Sequence, residues 1–205
     1  MRKSMMLLAL FLLPIASSST EAASIMKGLY VGASVGAAMT NGLDDEGAGI
    51  EIDDSGTGWE ALAGYQFAGP IGAELAYVDL GKASAEGGLG FSEHLKSHGV
   101  QFCAVATVPA ASPLAAQARF GGFAWTQDFN FDRGGETFGS SENGTTICAG
   151  FGLRYRFQSL DHLGLTAKWT RYFDVGDSDY SGQSLDRDFF GAGVTWSFGS
   201  NEAAE

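Results

Sequence analysis

The stretch Thr145-Thr146-Ile147-Cys148-Ala149-Gly150-Phe151-Gly152-Leu153-Arg154-Tyr155-Arg156-Phe157 decides the fold. Ala149, Phe151, Leu153, Tyr155 and Phe157 fall on one parity; Gly150, Gly152, Arg154 and Arg156 fall on the other. Successive side chains of a strand point to opposite faces, so one face is apolar and the other small or cationic. A soluble sandwich also alternates, but its outward face carries the charge. Here the charged and small residues lie opposite a row of large apolar ones. A narrow barrel fits, with apolar side chains toward lipid and a tight polar interior.

Working outward, the same alternation recurs and gives eight segments: 28–38, 58–67, 71–80, 98–108, 114–127, 145–157, 163–173 and 188–198. Each is near the ~9–11 residues that a tilted strand needs to cross a bilayer. In the first, Leu29, Val31, Ala33, Val35 and Ala37 oppose Gly32, Ser34 and Gly36; in the fourth, Val100, Phe102, Ala104, Ala106 and Val108 oppose Gln101, Cys103 and Thr107. The last sets Phe190, Ala192, Val194, Trp196 and Phe198 against Gly191, Gly193, Thr195 and Ser197. Gly28, Gly32 and Gly36 also match a helix-pairing pattern. The apolar run is too short for that reading, and the spacing puts all three on one strand face.

The connections alternate in length. Residues 68–70, 109–113 and 158–162 are short turns; 39–57, 81–97, 128–144 and 174–187 are long loops. Short periplasmic turns and long extracellular loops are the habit of bacterial barrels, and an even strand number leaves both chain ends in the periplasm. The fold class expected is all-β: an eight-stranded antiparallel up-and-down transmembrane β-barrel. Much of the acid sits in the long loops: Asp44, Asp45, Glu46, Glu51, Asp53, Asp54, Asp132, Glu136, Glu142, Asp174, Asp177 and Asp179.

The N-terminus places the chain in an export pathway. Arg2 and Lys3 precede the apolar run 5–15, and small residues follow from Ser17 to Ala23, the layout of a cleaved signal peptide. The run is too short for a membrane helix, which needs about 20 apolar residues. Residues 1–22 are the expected signal peptide, 23–199 the barrel and 200–205 a short polar periplasmic tail. The formal charge is −12, and losing Arg2, Lys3 and Glu21 makes the remainder one unit more negative. Such a surface is a poor match for nucleic acid, whose phosphates need cations.

Further residues carry a family resemblance. Gly64-Tyr65-Gln66-Phe67, a Pro-containing turn and Ile71-Gly72-Ala73-Glu74-Leu75-Ala76-Tyr77 resemble the second and third strands of the OmpA transmembrane-domain family. So do Gly99-Val100-Gln101 in the fourth, Arg119-Phe120-Gly121-Gly122-Phe123-Ala124-Trp125 in the fifth and Gly193-Val194-Thr195-Trp196-Ser197-Phe198 in the eighth. The resemblance runs over nearly the whole exported chain and implies a barrel whose lumen is filled by a charged, hydrogen-bonded network. Glu74, Arg119 and Lys168 fall on family positions that carry an inward carboxylate and two inward cations. Ser34 and Val105 stand where the best-known members have Lys, and Arg154 where they have Glu, so the network is rewired. Larger members append a peptidoglycan-binding domain; with no such stretch in this sequence, a cell-wall tether is not expected.

The candidate site is therefore a lumen network of Glu74, Arg119, Arg154 and Lys168, with Gln101, Gln117 and Glu60 completing it. Inward cations outnumber inward carboxylates, so water or a bound anion balances the remainder. Cys103 and Cys148, on the fourth and sixth strands, are expected as buried free thiols. Two strands apart implies Cα atoms roughly 9–11 Å apart, and a disulfide wants ~4.4–6.8 Å. Asp174, Asp177 and Asp179, like Asp44, Asp45, Asp53 and Asp54, form acidic clusters without EF-hand spacing, read as solvated charge. His94, His98 and His162 lie in or beside loops and turns. The one adjacent His-Ser pair, Ser97 and His98, points to opposite faces, so no lipid-modifying enzyme is expected, and no catalytic, metal or cofactor residues are assigned. Gly193, Trp196 and Phe198 resemble the C-terminal signal read by the outer-membrane assembly machinery.

The function expected is a structural outer-membrane barrel that contributes to envelope integrity and displays acidic extracellular loops. Its partners are outer-membrane lipid and lipopolysaccharide, with the assembly machinery during insertion. The alternatives are a surface adhesin or other host-ligand-binding barrel and, further off, a lipid-modifying barrel enzyme.

Overall fold

The structure, a computed structural model, describes residues 28–41, 51–53, 55–67, 69–87, 91–111, 113–133, 136–160, 162–176 and 185–198. The strands are β1 (Leu29–Asn41), β2 (Glu51–Asp53), β3 (Ser55–Gln66), β4 (Ile71–Gly87), β5 (Phe91–Ala111), β6 (Leu114–Arg133), β7 (Glu136–Arg156), β8 (Leu163–Val175) and β9 (Leu185–Ser197). β2 and β3 both pair with β4 and act as two parts of one stave, so the barrel has eight staves. Each stave runs antiparallel to the next in chain order, and β1 pairs with both β3 and β9. That last pairing closes the sheet and leaves no open edge, which a strand protein in lipid requires because hydrocarbon offers no hydrogen-bonding partner.

The parity read from the sequence sets the outside. Val35, Phe102 and Phe151 are 58%, 61% and 65% exposed, and Leu75, Phe120, Ile147, Leu153, Leu165 and Val194 share that face. Aromatic residues bound the apolar band. Trp59 packs on Tyr77 with ring centroids 5.4 Å apart toward the long-loop end, while Tyr65 with Phe67 and Tyr155 with Phe157 do so toward the short turns. Just beyond Trp59 and Trp169 the outward positions turn ionic. Lys96 Nζ lies 3.0 Å from Asp79 Oδ2, and Arg171 Nη2 lies 2.6 Å from Asp188 Oδ2. The neighbouring Asp79 carboxylate raises the Lys96 pKa above its ordinary value. Between the ionic collar and the short turns β5 runs from Val100 to Val108, a length suited to a tilted membrane strand.

Two sequence expectations need correction. First, the segments 81–97 and 128–144 are largely strand rather than loop. β5 and β7 each run 21 residues and β6 runs 20, with Phe91 opposite Arg133 and Arg133 opposite Glu136. Asp132, Glu136 and Glu142 therefore lie on paired strands, Asp174 is the last residue but one of β8, and Glu51 and Asp53 belong to β2. Beyond the apolar band the parity that faced lipid carries Lys96, Asp128 and Asn130, so the apolar row that marks a lipid-crossing strand ends while backbone pairing continues. Second, the interior is not polar throughout. Its long-loop half is filled by Val78, Leu80, Phe123, Trp125, Tyr172, Val175 and Phe189, all buried. Phe123 and Tyr172 meet at 4.5 Å.

Candidate functional site

The short-turn half of the lumen holds the ionic residues singled out from the sequence. Glu74 comes from β4, Arg119 from β6, Arg154 from β7 and Lys168 from β8, and every one of them is buried. Arg119 Nε donates to Glu74 Oε2 at 2.9 Å, and its Nη2 donates to Gln117 Oε1 at 2.8 Å. Gln117 Nε2 in turn donates to Thr107 Oγ1 at 3.2 Å. Arg154 Nη2 stands 3.7 Å from Glu74 Oε1. Lys168 does not join that carboxylate; its Nζ donates to Glu60 Oε1. The site is thus two adjoining centres, one on Glu74 and one on Glu60. Charges taken out of water persist only when paired and hydrogen-bonded in this way.

Glycines make room for these long side chains. A Cβ on Gly152 would sit 2.7 Å from Arg119 Nη1, and one on Gly64 would sit 2.3 Å from the Tyr30 ring. Tyr30 lies over Gly64 and donates its hydroxyl to Glu74 Oε1 at 2.7 Å. The Arg154 guanidinium rests on the Tyr30 ring at 4.5 Å, a cation–π contact. Tyr30 shares the parity of Ser34, so alternation alone marks it as inward, but its reach across the lumen to β4 is not readable from β1. Gln101 belongs to a separate chain of contacts. Tyr172 donates to Gln101 Oε1 at 2.7 Å, and Gln101 Nε2 donates to Cys103 Sγ at 3.0 Å.

Cys103 and Cys148 are unbonded, fully buried, and have their sulfurs 3.5 Å apart. Gly121 of β6 lies between them in register with both. Its missing side chain lets thiols from alternate staves meet.

The remaining assigned residues lie elsewhere. Gly193 is in register with Ser34 and Thr166 inside, whereas Trp196 and Phe198 are exposed outside. Trp196 stacks on His162, whose Nδ1 is 2.8 Å from Ser197 O. Ser97 is buried in the lumen and His98 faces outward near Tyr77. Arg187, not singled out by sequence, is buried in the long-loop half with Nε and Nη2 unbonded, and desolvation lowers its pKa to about 10. Among the described residues no cluster of three metal-ligating side chains occurs. Asp44, Asp45, Glu46, Asp54, Asp177 and Asp179 lie outside the described residues, as do residues 1–27 and 199–205.

Comparison with known proteins agrees with this geometry. The model of the OmpA-like transmembrane domain matches residues 26–202. Outer membrane protein A of Serratia marcescens is 29% identical over 158 residues, covering 73% of this chain and 41% of that protein. Outer membrane protein A of Escherichia fergusonii is 28% identical over 180 residues, covering 85% of this chain and 50% of that protein. The chain thus spans half or less of the length of these curated relatives. The crystal structure of Ail, the attachment invasion locus protein of Yersinia pestis, has the same fold, with a TM-score of 0.55 at 15% identity over 83% of this chain and 99% of that one. A family match over nearly the whole described chain, with a closed eight-stave sheet and an apolar outer band, makes this protein a member of the OmpA-like transmembrane-domain family of outer-membrane β-barrels.

Proposed function

We propose that the protein is a structural barrel: it contributes to envelope integrity, carries acidic loops at the cell surface and turns over no substrate. The observation that carries this reading is the filled lumen. The ionic centres on Glu74 and Glu60 occupy one half, and Phe123, Trp125, Tyr172 and Phe189 occupy the other. Eight staves enclose only enough space for side chains, so stiffness rather than transport is what this interior supplies. Glu74, Arg119, Arg154 and Lys168 act as internal cross-braces, with Gln117 orienting Arg119 and Gln101 bracing the neighbouring Tyr172 and Cys103.

Export by cleavage after residue 22 and recognition of Gly193, Trp196 and Phe198 by the assembly machinery belong to the same reading. The outward exposure of Trp196 and Phe198 supports this, since it leaves both side chains open to contact. The test is a deletion strain of the source bacterium. Loss of detergent resistance, restored by the intact gene, is expected, together with no steady conductance from the purified barrel in planar bilayers. Sustained ohmic conductance would sink the structural reading.

A second reading, surface ligand binding, draws on one observation. β5, β6 and β7 continue as a paired sheet well past the ionic collar, a stiff platform on the expected extracellular side. Trimming residues 88–94 and 129–140 should then abolish binding to host surfaces while leaving detergent resistance intact.

A further inference from the structure

The geometry points to a binding site for a phosphate-type oxoanion at the short-turn end of the lumen, with Arg154 as its floor. A cavity of about 660 Å³ opens there, lined by Tyr30, Gln66, Thr107, Arg154 and Arg156 among others. That volume lies within the range of small-molecule pockets, roughly 300–1,000 Å³.

The ionic balance beside this cavity is uneven. Arg119, Arg154 and Lys168 face two carboxylates, Glu74 and Glu60, which leaves one buried cation in excess. Arg154 is the cation left over. Glu74 Oε2 is taken by Arg119 at 2.9 Å and Oε1 by the Tyr30 hydroxyl at 2.7 Å, so Arg154 Nη2 stands off at 3.7 Å. Its Nε and Nη2 are both buried and make no hydrogen bond. A guanidinium held out of water without an acceptor is costly, and its planar fork matches an oxoanion with two parallel donors.

The Tyr30 ring at 4.5 Å holds the guanidinium in place, and exposed Arg156 adds a second positive charge to the cavity lining. Two guanidinium groups lining one cavity, the deeper of them only weakly paired, suit an anion with several acceptor oxygens. Such an oxoanion reaches the cavity either as free phosphate or as the phosphomonoester head of a lipid.

The experiment uses the full chain folded in detergent micelles, titrated calorimetrically with inorganic phosphate and, separately, with short-chain phosphatidic acid. Saturable one-to-one binding of at least one probe is expected, weakened about tenfold or more by Arg154→Gln, the scale of a lost charge-assisted pair. Binding of the ion identifies free phosphate as the source; binding of the lipid alone identifies the headgroup. No saturable binding of either probe by the wild-type barrel overturns the proposal, whatever the variants do. Equal affinity in Arg154→Gln also overturns it. If that variant does not reach the compact form seen on unheated gels, Arg156→Gln in the cavity lining takes its place, and a several-fold loss of affinity is expected there.

Discussion

Glu74 joins three strands through one carboxylate: Arg119 from β6, Tyr30 from β1 and, more distantly, Arg154 from β7. Glu74→Gln keeps the shape and removes the charge, which strands Arg119 without its counter-ion. Breaking a buried pair on one side costs about 3–5 kcal/mol. Urea unfolding in lipid vesicles should show a loss near the lower end of that range, because an amide oxygen still accepts from Arg119. Insertion should persist, since the outer face is untouched; unchanged stability would show that the ionic centre braces nothing. The cysteines make a second prediction at this scale. Their sulfurs touch over Gly121, but the staves carrying them are not neighbours, and bridging needs Cα atoms closer than about 7 Å. Thiol counting on the denatured, unreduced protein should therefore find two free thiols per chain.

At the scale of the strand, the outward row does one job and tolerates little charge. Phe102 lies on the lipid-facing row between Val100 and Ala104 and is 61% exposed. Phe102→Arg should cost on the order of 2 kcal/mol, between the ~2–4 of a cation at the bilayer midplane and the ~0–1 near an interface. The same substitution at Lys96, beyond the band and already cationic, should be close to neutral. Unfolding both variants in vesicles checks the contrast, and equal effects would mean that the band is not in hydrocarbon. The strands also show where sequence reading stops. Inside the band one face meets lipid and the other a packed lumen, so side-chain polarity alternates visibly. In the outer parts of β5, β6 and β7 the ladder runs on through Glu93, Asn130 and Ser140. On the parity that carries the large apolar residues nearer the turns, His94, Lys96, Asp128, Asn130 and Asp132 are polar, so these strands read as loops.

At the scale of the whole molecule, closure between β1 and β9 gives every described stave two neighbours. A closed sheet in lipid unfolds only as a unit, so samples kept unheated in detergent should migrate faster on gels than heated ones. Spin labels at Val35, Phe102 and Leu153 should report acyl chains rather than water; three water-exposed labels would invert the barrel and remove the basis for an outer-membrane location. By itself the sequence determined which side chains point inward, because strand parity is a property of the local backbone. With the family resemblance beside it, that was enough to single out Glu74, Arg119, Arg154 and Lys168, and parity alone set Phe102 and Phe151 toward lipid. Only the tertiary structure decided who meets whom: that Lys168 takes Glu60, that Tyr30 reaches Glu74, and that aromatic side chains fill the other half of the lumen. The reason is stagger. Tilted staves bring together residues far apart along the chain, and the register that sets those meetings is a property of the closed sheet, not of any one strand.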